Sequence, residues 1–216
     1  MNQSTKVTIF DLDGTLIDTM GGFADIAADL IRQYYGWPFE KGRREYLLTS
    51  GIPFFQQLDK MFPSGPLNAQ IAEMFETRKL RSFMCEEVEE RTVETLCKLK
   101  LREIRTVISS NNFHDLVREF VTRNNLPVDL ALGYKDNFSK GAAHFLHIRE
   151  YFGVPLSSMV FIGDSLKDAQ IATANNLRFV AKLGTFSESD FTDQTGSNPV
   201  RAIYEINELL DVLEVI

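Results

Sequence analysis

Apolar residues fall into two rhythms along the chain. Val7-Thr8-Ile9-Phe10 is a short, nearly unbroken run rich in β-branched side chains, as a strand buried on both faces requires. Comparable runs recur at residues 106–108, 159–162 and 179–181. Each later run follows a stretch with helical spacing. Over residues 93–101, Val93, Leu96, Cys97, Leu99 and Leu101 lie roughly along one face, and over 113–124 the apolar positions are Leu116, Val117, Phe120 and Val121. Residues 140–152 and 168–175 also read as helices. Strands alternating with helices predict a parallel α/β sheet.

Residues 20–90 break this alternation and show no clear strand. Phe23, Ile26, Ala27, Leu30, Ile31 and Tyr34 space out an amphipathic helix that Gly36-Trp37-Pro38 ends. Residues 54–61 and 67–83 read as further helices, split by Pro63-Ser64-Gly65-Pro66. The pattern predicts a small all-helical insert, residues 19–90, in a core made of residues 1–18 and 91–216, with hinges at both junctions. Near the end, residues 190–199 read as a polar loop, 200–203 as a last strand and 206–213 as a closing helix.

Composition narrows the function classes. The 216 residues suffice for one sizeable core and a small appended unit. With 44% apolar and 25% charged residues the chain is an ordinary globular sequence rather than a disordered one. Thirty acidic against 23 basic side chains give a net charge of −7, which argues against a nucleic-acid partner. An acidic chain can still bind a small anion where it gathers local cations or a metal. Cys85 and Cys97 fit neither a disulfide framework nor a zinc motif and read as reduced packing residues. Residues 1–6 lack the layout of a signal peptide, and no apolar run approaches the roughly 20 residues of a membrane span. The expectation is a cytoplasmic protein with no membrane partner, as a monomer or homodimer.

The candidate chemistry sits after the strands, since open parallel sheets bind ligands beyond the carboxyl ends of their strands. Asp11 and Asp13 follow the first run, Ser109, Ser110 and Asn111 the second, and Gly163, Asp164, Ser165 and Asp168 the third. Lys140 opens the helix leading into the third. Carboxylates gathered in one place need a counter-charge, and Mg²⁺, which prefers oxygen ligands and often shares its site with a phosphate, supplies one. Ser and Lys donors beside an acidic nucleophile suit phosphoryl transfer.

At this point the motifs resemble the haloacid dehalogenase superfamily. Asp11-Leu12-Asp13-Gly14-Thr15 resembles its first motif, Ile108-Ser109-Ser110-Asn111 its second, Lys140 its third, and Gly163-Asp164-Ser165-Leu166-Lys167-Asp168 its fourth, in the family's order. The helical insert is similar to the family's helical cap, and the phosphoglycolate-phosphatase-like branch is the nearest description. The resemblance implies a Rossmann-like three-layer α/β core and a cap that opens for substrate and closes against water. It implies Asp11 as nucleophile, forming an aspartyl-phosphate, and Asp13 as general acid, then base. Mg²⁺ would lie on Asp11, the Asp13 carbonyl and Asp164. Asp168 would sit beside the metal or orient Lys140, and Lys140 would balance charge between Asp11 and the phosphate. Ser109 or Ser110, with Asn111 and Lys140, would bind the phosphoryl group, Ser109 being preferred because it comes first after the apolar run.

The substrate class so implied is a small phosphate ester, hydrolysed at phosphorus. Asp13 separates this chemistry from dehalogenation, because an alkoxide needs a proton to leave and a halide does not. A phosphomutase, or a relative that binds the ester without turnover, is the alternative. Mutase relatives usually carry Glu before the fourth-motif Asp, where this chain has Gly163. Two departures stand out: Gly141 follows Lys140 where many relatives have Pro, and Ser109 is followed by a second Ser. His144 and His147, three apart on a helix, read as surface residues; His114 reads as a helix-start residue. Trp37, Phe54 and Phe55 read as cap core.

Overall fold

The computed structural model describes residues 5–195, 199 and 201–216. The chain divides into two compact units, residues 1–17 with 87–216, and residues 18–86.

The larger unit is built on a six-stranded parallel sheet: β1 Val7–Phe10, β2 Arg105–Phe113, β3 Leu130–Tyr134, β4 Met159–Gly163, β5 Arg178–Lys182 and β6 Arg201–Ile203, in the order β3-β2-β1-β4-β5-β6. β1 lies centrally, Phe10 pairing with Ile108 on one side and Ile162 on the other. All four β1 residues are buried, which is why the strand reads as an unbroken apolar run. The winding reverses at β1, since β2 and β3 extend to one side of it and β4 to β6 to the other. This reversal is the switch point at which doubly wound sheets bind ligands.

Alternation along the strands sends Val7, Ile9, Val107 and Phe161 to one face. There they pack with Phe145 and Ile148 of α7 (Ala142–Phe152) and with Leu166, Ala169 and Ala172 of α8 (Leu166–Ala174). α5 (Glu90–Leu101) packs on β2, and α6 (His114–Arg123) on β2 and β3. Right-handed crossovers place α5 and α6 on the opposite face, completing three layers.

The smaller unit is helical throughout its regular structure: α1 Met20–Tyr35, α2 Phe39–Leu48, α3 Phe54–Met61 and α4 Asn68–Phe83. Its interior is aromatic. Phe54 and Phe75 lie 4.2 Å apart between ring centroids, and Tyr46 packs on both. Tyr35 stacks on Phe62 at 3.8 Å and donates to Asn68 Oδ1 at 2.6 Å. Phe54 is buried as expected, but Trp37 is only half-buried and Phe55 is half-exposed.

Several elements differ from the sequence expectation. β3 was not expected: Leu-Ala-Leu-Gly-Tyr holds no β-branched residue, and the strand forms by pairing with β2. α2 is too polar to show a stripe, and only Gly42 and Tyr46 are buried in it. The expected polar loop over residues 190–199 instead carries α9, Glu188–Thr195. Ser187 donates to Asp190 Oδ2 from both N and Oγ, a cap three residues apart, and Phe191 is drawn into the core. Residues 196–198 of that stretch and Val200 of the expected last strand lie outside the described residues. The closing helix is a short 3₁₀ turn, Ile206–Glu208, followed by α10, Leu209–Val215. Cys85 and Cys97 are exposed free thiols rather than packing residues. No helix among the described residues is long and apolar enough to cross a membrane.

Candidate active site

The strand ends at the switch point bring together residues more than a hundred positions apart. Asp11 extends the β1–β4 ladder by one step, its N–H donating to the Ile162 carbonyl at 2.9 Å. Its carboxylate is buried and meets Lys140 Nζ at 3.1 Å. The same ammonium meets Asp168 Oδ1 at 2.7 Å. Asp168 has no exposure, and its other oxygen accepts from Ser165 N at 3.2 Å and Ser165 Oγ at 2.6 Å. Ser165 Oγ in turn accepts from Asp168 N, closing a capping box at the start of α8.

Gly163 makes this arrangement possible. A Cβ there would lie 2.7 Å from Asp168 Cβ and 2.8 Å from its Cγ, so no side chain fits while Asp168 points at Lys140. Gly141 has φ +126°, a backbone conformation that proline, fixed near −65°, cannot adopt. The loop after Lys140 therefore differs from the Lys-Pro pattern of many relatives.

Asp164 is buried and accepts from Thr15 Oγ1 at 3.4 Å and Thr185 Oγ1 at 2.8 Å. Asp13 Oδ2 accepts from Asn112 Nδ2 at 2.7 Å. Asn112 reaches it because the β2–β3 register shifts between Ser109 and Phe113, turning residues 110–112 out of the ladder. Ser110 Oγ is taken up inside this loop by Asn112 N–H, and Asn111 Oδ1 accepts from the Lys140 main chain at 3.3 Å. Ser109, wholly buried, pairs its Oγ with His144 Nδ1 at 2.9 Å.

His144 corrects a sequence expectation. It is completely buried, because its turn of α7 faces the sheet below Ser109, whereas His147 is exposed. His114 does begin α6, its Nδ1 accepting from Gly133 N–H at 3.3 Å.

The electrostatics follow from burial. Desolvation raises Asp11 well above the usual carboxylate range; Lys140 opposes this, while Asp168, Asp164 and Asp13 add to it. Burial, then the charge of Asp168, pushes Asp164 up to about 7, against the Thr185 hydrogen bond. Burial disfavours the Lys140 ammonium, but Asp11 and Asp168 outweigh it and hold the group above its ordinary range. Asp11, Asp164 and Asp168 each offer a carboxylate oxygen within 4.8 Å of the others. Three buried carboxylates, two of them paired with one lysine, form a hard-oxygen donor set with charge left to neutralise, which fits a divalent cation such as Mg²⁺.

Sequence reasoning missed Asn112, Thr15, Thr185 and His144 as partners of the cluster. Thr15 lay within the first motif. Thr185 follows β5, so the rule that led to the other strand ends would have reached it. The two-residue step from Ser110 to Asn112 and the burial of His144 have no one-dimensional signal.

Residues 8–182 match the family described as haloacid dehalogenase-like hydrolase. Solved structures share the fold. A candidate phosphoglycolate phosphatase from Lactobacillus delbrueckii subsp. bulgaricus is 17% identical, with 98% of this chain and 99% of that one covered and a TM-score of 0.81. A haloacid dehalogenase-like family hydrolase from Streptococcus pneumoniae is 15% identical, over 96% of this chain and 98% of that one, at a TM-score of 0.78. A hydrolase from Pseudomonas syringae is 19% identical, over 99% of each chain, at 0.77. No curated protein matches the sequence. Because the family match spans most of the chain and takes in Asp11, Asp13, Ser109, Lys140 and Asp164, the chain belongs to the haloacid dehalogenase-like hydrolases.

Proposed function

We propose that the protein is a Mg²⁺-dependent phosphatase that hydrolyses a small phosphomonoester through an aspartyl-phosphate on Asp11. The observation that carries this reading is the buried Asp11–Lys140–Asp168 chain at the switch point, with Asp13 two residues from Asp11 and held by Asn112. The Lactobacillus delbrueckii structure, a candidate phosphoglycolate phosphatase, supports the reaction class. The substrate is a small phosphate ester rather than that compound in particular.

In the first step an Asp11 carboxylate oxygen attacks phosphorus, and the ester P–O bond breaks. Asp13 gives its proton to the departing alkoxide. In the second, Asp13 takes a proton from water, whose oxygen attacks phosphorus and releases Asp11 and inorganic phosphate. Lys140 opposes the protonation of Asp11 that burial favours and offers a cation to the phosphoryl oxygens. Asp168 keeps Lys140 in place, both of its own oxygens being engaged by Lys140 and Ser165. Asp11, Asp164 and the Asp13 carbonyl would hold the cation, with Asp168 next to them. Bound there, Mg²⁺ neutralises the carboxylates and the charge gathering on the phosphoryl group. Ser109 donates to a phosphoryl oxygen, with Asn111 beside it; Ser110 Oγ accepts from the Asn112 N–H. The helical unit takes the role of the cap, setting which esters enter.

The absence of room for a side chain at position 163 supports hydrolysis over the mutase alternative, whose relatives carry Glu there. The test is phosphate release from a panel of small sugar, polyol and carboxylic-acid phosphates with and without Mg²⁺, wild type beside Asp11→Asn. Metal-dependent turnover abolished in the variant is expected. An isomerised sugar phosphate with no free phosphate would replace this reading with the mutase.

A further inference from the structure

His144 is a histidine where no step above needs one. It is completely buried in the first turn of α7, its Nδ1 2.9 Å from Ser109 Oγ and its ring against Phe138, with 4.5 Å between centroids. The Gly133 main chain favours a charged ring, yet makes no hydrogen bond of full geometry to it, and Nε2 is enclosed without a partner. Burial drives the pKa down to about 4, and Lys140, His147 and His114 also disfavour a second proton. The ring is therefore neutral at physiological pH and carries one proton, on one of its two nitrogens.

Which nitrogen carries it determines what Ser109 can do. A serine hydroxyl has one proton and two lone pairs. With the ring proton on Nε2, Ser109 must spend its own proton on Nδ1 and would face a phosphoryl oxygen with lone pairs alone. With the proton on Nδ1, Ser109 accepts from the ring and its hydroxyl proton remains for the substrate. The surroundings favour the second arrangement. It leaves a lone pair on the enclosed Nε2, where the first would leave an N–H donor with no acceptor in hydrogen-bond geometry, and orphaned buried donors are the rarer case.

We propose that His144 is a positioning residue for the phosphoryl-binding hydroxyl: its Nδ1–H donates to Ser109 Oγ, fixing the serine rotamer and reserving the serine proton for a phosphoryl oxygen. This rests on the phosphatase reading for what Ser109 touches, but the tautomer is a property of the free protein. Parity along β2 turns Ser109, like Val107, toward the face where α7 lies, within reach of His144.

Nitrogen-15 spectra of the histidine-labelled protein, with the His144 signals assigned by their loss in His144→Asn, give the tautomer directly. A protonated Nδ1 and a bare Nε2 at neutral pH are expected; a protonated Nε2 or an imidazolium overturns the proposal. In kinetics on whichever ester the wild type hydrolyses, His144→Phe keeps a ring without a donor and lowers kcat by about 10- to 100-fold, the cost of a misplaced contact. His144→Asn, whose amide N–H can stand where Nδ1–H stood, recovers most of that loss. A merely structural role would make the losses multiply, whereas here Ser109→Ala with His144→Phe is no slower than Ser109→Ala alone. Multiplying losses overturn the proposal. Should His144→Phe fail to fold, the Asn variant and the spectrum still decide. If the wild type releases phosphate from no ester, the phosphatase reading fails while the tautomer is judged by the spectrum.

Discussion

Two ion pairs of nearly equal length show how differently the two units use charge. In the α/β unit Lys140 meets Asp168 at 2.7 Å with side chains 3% and 0% exposed. In the helical unit Arg43 meets Asp25 at 2.8 Å with side chains 36% and 54% exposed. The exposed pair gains little, because water and salt screen it and two long side chains must be held still. The buried pair gives up the solvation of both ions, and breaking it leaves a charge stranded in a low-dielectric interior. A chain seeking stability alone does better with apolar residues at such a place, as the helical unit does with Tyr46, Phe54 and Phe75. The expense of the Lys140 cluster is thus itself a functional argument.

The largest effect that tests this contrast is on catalysis. Asp11→Asn keeps the shape of the nucleophile and removes its negative charge. Phosphate release should fall by about 10⁴-fold or more, as when other covalent nucleophiles are removed. Asp13→Asn should cost about 10²–10⁴-fold, the range for general acid–base groups. No charge substitution on the exposed Arg43–Asp25 pair should approach either figure. Activity retained within tenfold in Asp11→Asn would remove the nucleophile assignment.

Next comes stability. Lys140→Met strands Asp11 and Asp168, and should cost about 3–5 kcal/mol in urea unfolding without metal at neutral pH. Protonating the stranded carboxylates relieves part of that, so the deficit should shrink toward pH 5. A deficit under about 1 kcal/mol, independent of pH, would mean that the cluster is hydrated in solution.

The contrast also explains what could be read from one dimension. The strands of the α/β unit were legible because β1 and β4 are buried on both faces and spell continuous apolar runs. Asp11 and Asp164 were legible because each comes at the end of such a run, and Asp13 and Asp168 because they lie a few residues beyond. α2 and β3 were not, since both form through packing with neighbours rather than through their own composition. His144 shows the same limit at the site. Its spacing from His147 resembles that of any polar pair on a helix, and only the placement of α7 against the sheet buries one ring and exposes the other.

A titration separates the contributions within the cluster. Asp164 is raised from 3.8 to about 7 by burial and Asp168, so the folded protein holds this proton more tightly than the unfolded chain. Its stabilising contribution is full below pH 3.8 and is lost as pH climbs to about 7, amounting to as much as about 4 kcal/mol. His144 runs the other way. Lowered by burial from 6.5 to about 4, it contributes fully above pH 6.5 and loses that contribution as pH falls through 4. Asp164→Asn should therefore flatten or reverse the decline of the metal-free protein between pH 4 and 7, and His144→Phe should steepen it. Mg²⁺ should raise wild-type stability most at the upper end, where it no longer competes with protons. An identical pH profile in wild type and Asp164→Asn would show that Asp164 titrates normally.

The smallest effect belongs to the exposed pair. Arg43→Ala should shift the urea midpoint by no more than about 1 kcal/mol, part of it from lost contact along the arginine stem. A double-mutant cycle with Asp25→Ala isolates the pair itself, and the coupling should be about 0.5 kcal/mol or less and fade as salt is added. Arg43 is also one of eight lysines and arginines in the helical unit, so the same variant tests for a second role. If Arg43 only pairs with Asp25, KM and kcat stay within twofold of wild type. A KM raised tenfold at unchanged kcat would instead mean that the arginine holds the distal end of the ester. An exposed charge would then do for binding what the buried cluster does for chemistry, and the contrast between the units would lie in solvation rather than in function.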